Sequence, residues 1–236
     1  MRCDTLLFEF DGVLADTHVM RRSALSRSLA DDGVPLADAT FDARCAGFPA
    51  REAALAALAA TAGDARRFDD TALDLVVLRA ERYFAEQLGR GLSLAPGARA
   101  LIEHVAGRAR LGVVTRAARR EVEFVLSLAG LDGAFECVVT AEDVRSPKPS
   151  PEAYQQAFER LARRRPALPA RTLAFEDAPP GIIAAHAHKV RCVAVGARTS
   201  FHAVRADAYL PSLEGQSLET IDALVDPARG AGAAVS

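Results

Sequence analysis

The sequence predicts an α/β fold, a Rossmann-like parallel sheet with helices on both faces plus an inserted α-helical cap domain, and three observations carry that reading. Short apolar runs alternate with amphipathic helical patterns from about Ala98 onward. One further apolar run, Thr5 to Phe10, stands alone near the amino terminus. Between the two, residues 16–91 carry helical periodicity and no strand pattern, so a helical segment interrupts the chain after its first strand. The expected division is residues 1–15 with 92–228 for the α/β core and 16–91 for the helical cap. Residues 229–236, which lack any pattern, are expected to be disordered.

Taken in order, Thr5 to Phe10 is too short for a helix and apolar throughout, as a strand buried on both faces requires. Gly12 ends it. Asp16 or Thr17 is placed to cap a helix that carries Met20, Ala24, Leu25 and Leu29 on one face and stops at Asp31-Asp32-Gly33. A second helix follows Pro49, carries Leu55 and Leu58, and ends at Gly63. A third repeats apolar residues at Leu73, Val76, Val77, Ala80, Phe84 and Leu88 and ends at Gly89. The chain returns near Pro96-Gly97. Strands are then expected at Leu111 to Thr115, Cys137 to Thr140, Thr172 to Glu176 and Cys192 to Gly196, with an edge near Tyr209 and Leu210. The helices between them are Ala98 to Val105, Arg119 to Ala129, Pro151 to Arg164 and Pro180 to His188, with Ser150 as a cap before Pro151.

Composition excludes several classes. At 236 residues, half of them hydrophobic, the chain can bury a substantial core. A net charge of −2 argues against nucleic acid as a partner, and Arg163-Arg164-Arg165, without interleaved aromatics, is a solvated helix end. No apolar run reaches membrane-spanning length and no signal peptide fits the amino terminus, so no membrane is expected and the location is cytoplasmic. Cys3, Cys45, Cys137 and Cys192 are too far apart for a metal motif and are expected as buried free thiols. A monomer is expected. His18, His104, His186 and His188 have no partner at metal-gripping spacing and are structural or surface residues.

The chemistry concentrates at strand ends. Glu9 and Asp11, spaced i and i+2, project from one side of an extended chain before Gly12, at the sheet edge where open parallel sheets bind ligands. Thr115 ends a later strand in a hydroxyl, Lys148 sits between prolines, and Glu176-Asp177 ends another strand in paired acids. Singly, each has an ordinary explanation: a turn, a strand-terminal hydroxyl, a surface lysine, a helix cap.

Together they resemble a known family. Phe-Glu-Phe-Asp-Gly-Val-Leu-Ala-Asp-Thr at 8–17, Val-Val-Thr-Arg at 113–116, Ser-Pro-Lys-Pro-Ser-Pro-Glu at 146–152 and Phe-Glu-Asp-Ala-Pro-Pro-Gly-Ile at 175–182 resemble the four motifs of the haloacid dehalogenase-like superfamily, in the branch of β-phosphoglucomutase and phosphoglycolate phosphatase. The resemblance implies a magnesium-dependent phosphatase acting on a small phosphorylated metabolite such as a sugar phosphate or phosphoglycolate. It implies Glu9 at the position of the nucleophile, Asp11 as general acid and base, and Thr115 and Lys148 on the phosphoryl oxygens. It implies Mg2+ held by Glu9, the Asp11 carbonyl and Asp177, with Glu176 in support. Gly47 and Arg51 fall where the family's substrate-specificity loop lies, and Gly47, Arg51, Thr115, Arg116 and Lys148 are the expected substrate contacts. Retained Asp177 speaks against metal-free dehalogenation.

Two letters depart from the pattern. The family's nucleophile is an aspartate, and Glu9 adds a methylene that moves the oxygen by up to about 1.5 Å, where ~1 Å of misplacement costs about 100-fold in rate. The implied alternatives are a slow or repositioned phosphatase, a site using water as nucleophile, or a phosphate-ligand binding protein with little turnover. Arg21 falls where the mutase carries a histidine, which ranks a phosphomutase behind a phosphatase.

Overall fold

A computed structural model describes residues 3–46, 48–61, 68–91, 94–196 and 205–225. Gly47, the expected helix end at Gly63 and the tail 229–236 lie outside them. The chain forms two compact units, Met1–Asp16 with Ser93–Ser236, and Thr17–Leu92.

In the first unit the described residues form one parallel six-stranded sheet in the order β3-β2-β1-β4-β5-β6. The strands are β1 Thr5–Phe8, β2 Arg110–Val114, β3 Cys137–Val139, β4 Thr172–Glu176, β5 Arg191–Val195 and β6 Ala208–Leu210. β1 is central, paired with β2 on one side and β4 on the other. The chain builds outward from β1 through β2 to β3, then crosses back to β4 and builds the other way. That reversal makes the carboxyl ends of β1, β2 and β4 the crevice where such sheets bind ligands.

The strands are apolar on both faces because both are covered. Leu7, Val114, Ala174 and Cys192 share one core cluster with Tyr154 and Leu161 of α7 (Glu152–Ala162) and Ile182 and Ala185 of α8 (Pro179–Ala187). Leu6, Phe8 and Phe175, one residue out of phase, belong to the opposite face, where the Phe8 and Phe175 rings stack at 4.8 Å. α5 (Ala98–Val105) and α6 (Arg119–Leu128) bury Leu101, Ile102, Val105, Val122 and Val125. A further helix, α9 (Leu218–Val225), is tied to the start of the sheet by Asp222, which accepts the Cys3 N–H at 2.9 Å. All four cysteines are free and buried.

The second unit is helical: α1 His18–Ala30, α2 Asp38–Arg44, α3 Ala50–Ala60 and α4 Asp70–Leu88. Leu25, Leu29, Phe41, Ala54, Ala57, Leu58, Leu73 and Val76 form its core. Ala53, Ala54 and Ala57 of α3 are buried in this core, and the Ser28 hydroxyl donates to the Val76 carbonyl at 2.7 Å to fix α1 against α4. Among the described residues no helix is long and apolar enough to cross a membrane.

Several local expectations are corrected. β1 stops at Phe8, not Phe10, because the Phe10 carbonyl is taken by the N–H groups of Leu14 and Ala15 in the following turn. Thr17 precedes α1 in helical backbone geometry, where its hydroxyl cannot reach back over the first turn, and it makes no side-chain cap. Asp69 does cap α4, accepting from Ala72 N–H at 2.8 Å. Helix α7 begins at Glu152, with Pro151 just before it, although Ser150 Oγ still accepts the Glu152 N–H at 3.3 Å. Leu55 is exposed, while Leu58 is buried. Helices α2 and α9 are additions to the expected set.

Candidate active site

Glu9 follows directly on β1, and its N–H still bonds the Phe175 carbonyl of β4 at 2.9 Å, so the side chain leaves the sheet at the central crevice. It is buried, 6% exposed. One carboxylate oxygen, Oε1, accepts the Phe10 N–H at 2.8 Å and the Thr115 hydroxyl. The other, Oε2, accepts from Lys148 Nζ at 2.6 Å. Thr115 stands one residue past β2, and its hydroxyl oxygen accepts the Ala117 N–H at 3.0 Å, which turns the hydroxyl proton toward Glu9.

Lys148 comes from the loop between β3 and α7. That loop is folded by Glu152, whose carboxylate accepts the N–H groups of Arg145 and Ser146 at 2.9 and 2.8 Å. The Lys148 ammonium donates to Glu9, to the Val114 carbonyl at 2.7 Å and to Glu176 Oε1 at 2.6 Å. The same Glu176 oxygen accepts the Tyr154 hydroxyl at 2.5 Å. A continuous buried chain therefore runs Thr115, Glu9, Lys148, Glu176, Tyr154.

Charge and burial compete in this chain. Burial pushes the Glu176 carboxyl up to about 7; Lys148 pulls it down, and the Glu9 charge adds to the rise. Burial alone would lower the Lys148 ammonium, but Glu176 and Glu9 outweigh it and the net direction is up, so Lys148 stays charged at neutral pH. Burial, with Glu176 beside it, holds the Tyr154 phenol well above its ordinary value, so it acts as a donor only.

Asp11 is half-buried in the turn after β1, and Asp177, just past β4, is 7% exposed. Asp177 lies against Gly12, the residue that follows Asp11. The φ of +77° at Gly12 suits glycine, and a Cβ there would lie 2.7 Å from Asp177 Oδ2. Among the described residues no group of three or more His, Cys, Asp or Glu side chains is arranged to hold a metal ion. The oxygen groups that the resemblance would assign to a metal are the Glu9 and Asp177 carboxylates and the Asp11 backbone carbonyl. All are hard ligands of the kind magnesium takes while keeping several waters, and Gly12 leaves the space that the Asp177 carboxylate occupies. Glu176 is turned the other way, into the Lys148 and Tyr154 contacts, and is not placed as a direct ligand.

The remaining expected residues are placed as follows. Arg116 follows Thr115 in the same loop and is half-buried. Arg51, in the helical unit, pairs with Asp70 at 2.7 Å and with Asp74. Arg21 lies over the Phe84 ring at 4.3 Å in that unit. His18 pairs with Asp42 and His186 with Asp207, as structural contacts. Sequence reasoning missed Tyr154 and Gly181. A Cβ on Gly181 would lie 1.8 Å from Glu176 Oε2, so glycine is what lets that carboxylate fit under α8. The signal for Tyr154 was present: a tyrosine on an apolar helical stripe needs a partner for its hydroxyl when buried.

Comparison with known proteins gives these positions a context. The family model described as haloacid dehalogenase-like hydrolase matches residues 6–195. The chain is 31% identical to validoxylamine A 7'-phosphate phosphatase of Streptomyces hygroscopicus subsp. limoneus, over 79% of this chain and 83% of that protein. It is 28% identical to a phosphorylated carbohydrates phosphatase of Thermotoga maritima, over 77% and 80%. Its fold is similar to that of the crystal structure of CbbY from Rhodobacter sphaeroides in complex with phosphate, with a TM-score of 0.79 and 25% identity over 94% of this chain and all of that one.

Proposed function

The chain belongs to the haloacid dehalogenase-like hydrolases, and from that premise we propose that it is a magnesium-dependent phosphatase of a small phosphorylated metabolite, a sugar phosphate or a similar polyol phosphate. The observation that carries this reading is the convergence of the Lys148 ammonium and the Thr115 hydroxyl on the Glu9 carboxylate at the sheet's switch point. Phosphoryl transfer needs fixed donors and cations around three equatorial oxygens, and these two groups with the Phe10 N–H supply them. By their names the two phosphatase relatives act on validoxylamine A 7'-phosphate and on phosphorylated carbohydrates, which supports a small phosphorylated metabolite as the substrate class.

In this reading Glu9 Oε attacks phosphorus as the bond to the ester oxygen breaks. The Asp11 carboxyl protonates the leaving oxygen, then takes a proton from the water that hydrolyses the glutamyl phosphate. Glu9, the Asp11 carbonyl and Asp177 would hold magnesium, whose charge would offset that of the transferred group. Lys148 keeps its proton throughout, fixed by Glu176 and Val114. The helical unit is read as the part that selects substrate, through Arg51 and the Gly47 segment, and Arg116 is read as a substrate contact of the α/β unit.

A second reading, a phosphate-ligand binding protein with little turnover, is favoured by one observation: both oxygens of Glu9 are already engaged by donors. A phosphomutase is the near alternative within the same chemistry, placed behind the phosphatase by Arg21. Magnesium-dependent phosphate release from a panel of sugar and polyol phosphates, on the natural chain and on Asp177→Ala, tests the proposal. Release of many equivalents that Asp177→Ala abolishes is the expected result. Release of less than one equivalent from every ester, with tight binding of one of them, turns the reading to the binding protein.

A further inference from the structure

We infer that the Phe10 N–H, the Thr115 hydroxyl and the Lys148 ammonium form an oxyanion site whose resident ligand in the free protein is the Glu9 carboxylate, so a phosphoryl group enters only by displacing Glu9. The identity of the incoming anion rests on the phosphatase reading above; the occupancy by Glu9 rests on the donor geometry.

Counting protons makes the case. A threonine hydroxyl has one proton to give, and that of Thr115 goes to Glu9 while its oxygen accepts from Ala117. A lysine ammonium has three, and those of Lys148 go to Glu9, the Val114 carbonyl and Glu176. No donor of either side chain is left for a phosphoryl oxygen, so one partner has to yield. Val114 is main chain within β2. Glu176 is held by Tyr154 and fitted against Gly181. Glu9 alone of the three lies past the end of its strand, whereas Val114 and Glu176 are still within β2 and β4, and it takes a bond from both side chains, so its release frees both at once. Its length is what permits this: an aspartate at position 9 ends up to about 1.5 Å shorter and cannot reach the same pair without moving the main chain.

The test is orthophosphate binding by isothermal titration calorimetry, with and without magnesium, on the natural chain, Glu9→Asp and Glu9→Gln. Near-ultraviolet circular dichroism establishes that each is folded. Glu9→Asp removes the reach, and Glu9→Gln keeps the length but leaves a neutral amide that competes poorly with a dianion for Lys148. Both variants are expected to bind orthophosphate about tenfold more tightly than the natural chain, about 1.4 kcal/mol. Thr115→Val added to Glu9→Gln is expected to erase most of the gain. If one variant does not fold, the other decides. Equal affinity in the natural chain and the variants overturns the internal ligand while leaving the phosphatase reading intact. Absence of orthophosphate binding in all of them, in either metal condition, overturns the oxyanion site and the phosphatase reading together.

Discussion

Lys148 and Glu176 meet at 2.6 Å, and each side chain is only 1% exposed. A buried pair of this kind contributes little against an apolar replacement of both members, but removal of one member leaves the other charged and unsolvated. Here removing the lysine strands two carboxylates, since Glu9 relies on the same ammonium. Lys148→Met is therefore expected to lose about 3–5 kcal/mol of stability as well as all phosphate release. Urea unfolding read at the midpoint, with unchanged slope, measures it; a loss below about 1 kcal/mol contradicts the view that this lysine neutralises the site.

Tyr154 lies behind that pair and touches neither Glu9 nor Thr115 by any bond the structure shows. Its ring is part of the α7 core and its hydroxyl is spent on Glu176. Tyr154→Phe keeps the packing and deletes one hydrogen bond to a buried carboxyl, which is expected to cost about 1–3 kcal/mol. The same change made in Glu176→Gln should cost distinctly less, because the partner it served is no longer charged. Full additivity in that double-mutant cycle would mean the hydroxyl acts independently of Glu176.

The two glycines beside the paired acids bear on different things, Gly181 on folding and Gly12 on the magnesium site proposed above. At Gly181 a methyl group would overlap Glu176 Oε2, so Gly181→Ala must eject the carboxylate from its place with Lys148 and is expected to destabilise the chain by more than about 2 kcal/mol. At Gly12 the collision is with Asp177, at the open end of the sheet, together with a left-handed backbone that costs a non-glycine residue about 1–2 kcal/mol. Gly12→Ala is expected to lower the apparent magnesium affinity of turnover at least tenfold while remaining folded. Magnesium titration of activity and thermal unfolding of the two variants check the contrast, which fails if both change in the same way.

The sheet was legible because its strands are buried on both faces, and runs such as Leu111 to Val114 and Leu173 to Phe175 have no amphipathic alternative. The strand-end residues were legible for a related reason: Glu9, Thr115 and Asp177 are polar groups that close apolar runs. Helix α2 was not, since Asp38–Arg44 spans seven residues with Phe41 as its single large apolar side chain, too little for a period to appear. A tyrosine on the apolar α7 stripe announces that its hydroxyl needs a partner, but the partner, Glu176, is 22 positions away and could not be named. Glu152 serves the main chain of the preceding loop at Arg145 and Ser146, and that role shows only once the loop is folded. The direction in which Glu176 turns was equally invisible, because a pair of adjacent acids does not say which one faces the lysine.

Asp143 supplies a pH dependence at the acid end of the range. Burial works to raise its carboxyl, but the hydrogen bond from Arg160 and those from the Thr140 N–H and hydroxyl outweigh burial and bring it from 3.8 down to about 2. Arg119 donates to it as well, so this carboxylate joins α6, α7 and the end of β3 beneath the loop that delivers Lys148. A carboxyl whose folded-state value is depressed contributes stability that is fully present above its unfolded value and is lost as the pH falls through the folded one. The contribution, about 2 kcal/mol, should therefore be intact above about pH 4 and gone near pH 2. Asp143→Asn is expected to unfold at lower urea than the natural chain at pH 6 and to converge with it as the pH is brought toward 2. A gap between the two that does not narrow over that interval would show that the arginines hold the side chain by geometry and not by its charge.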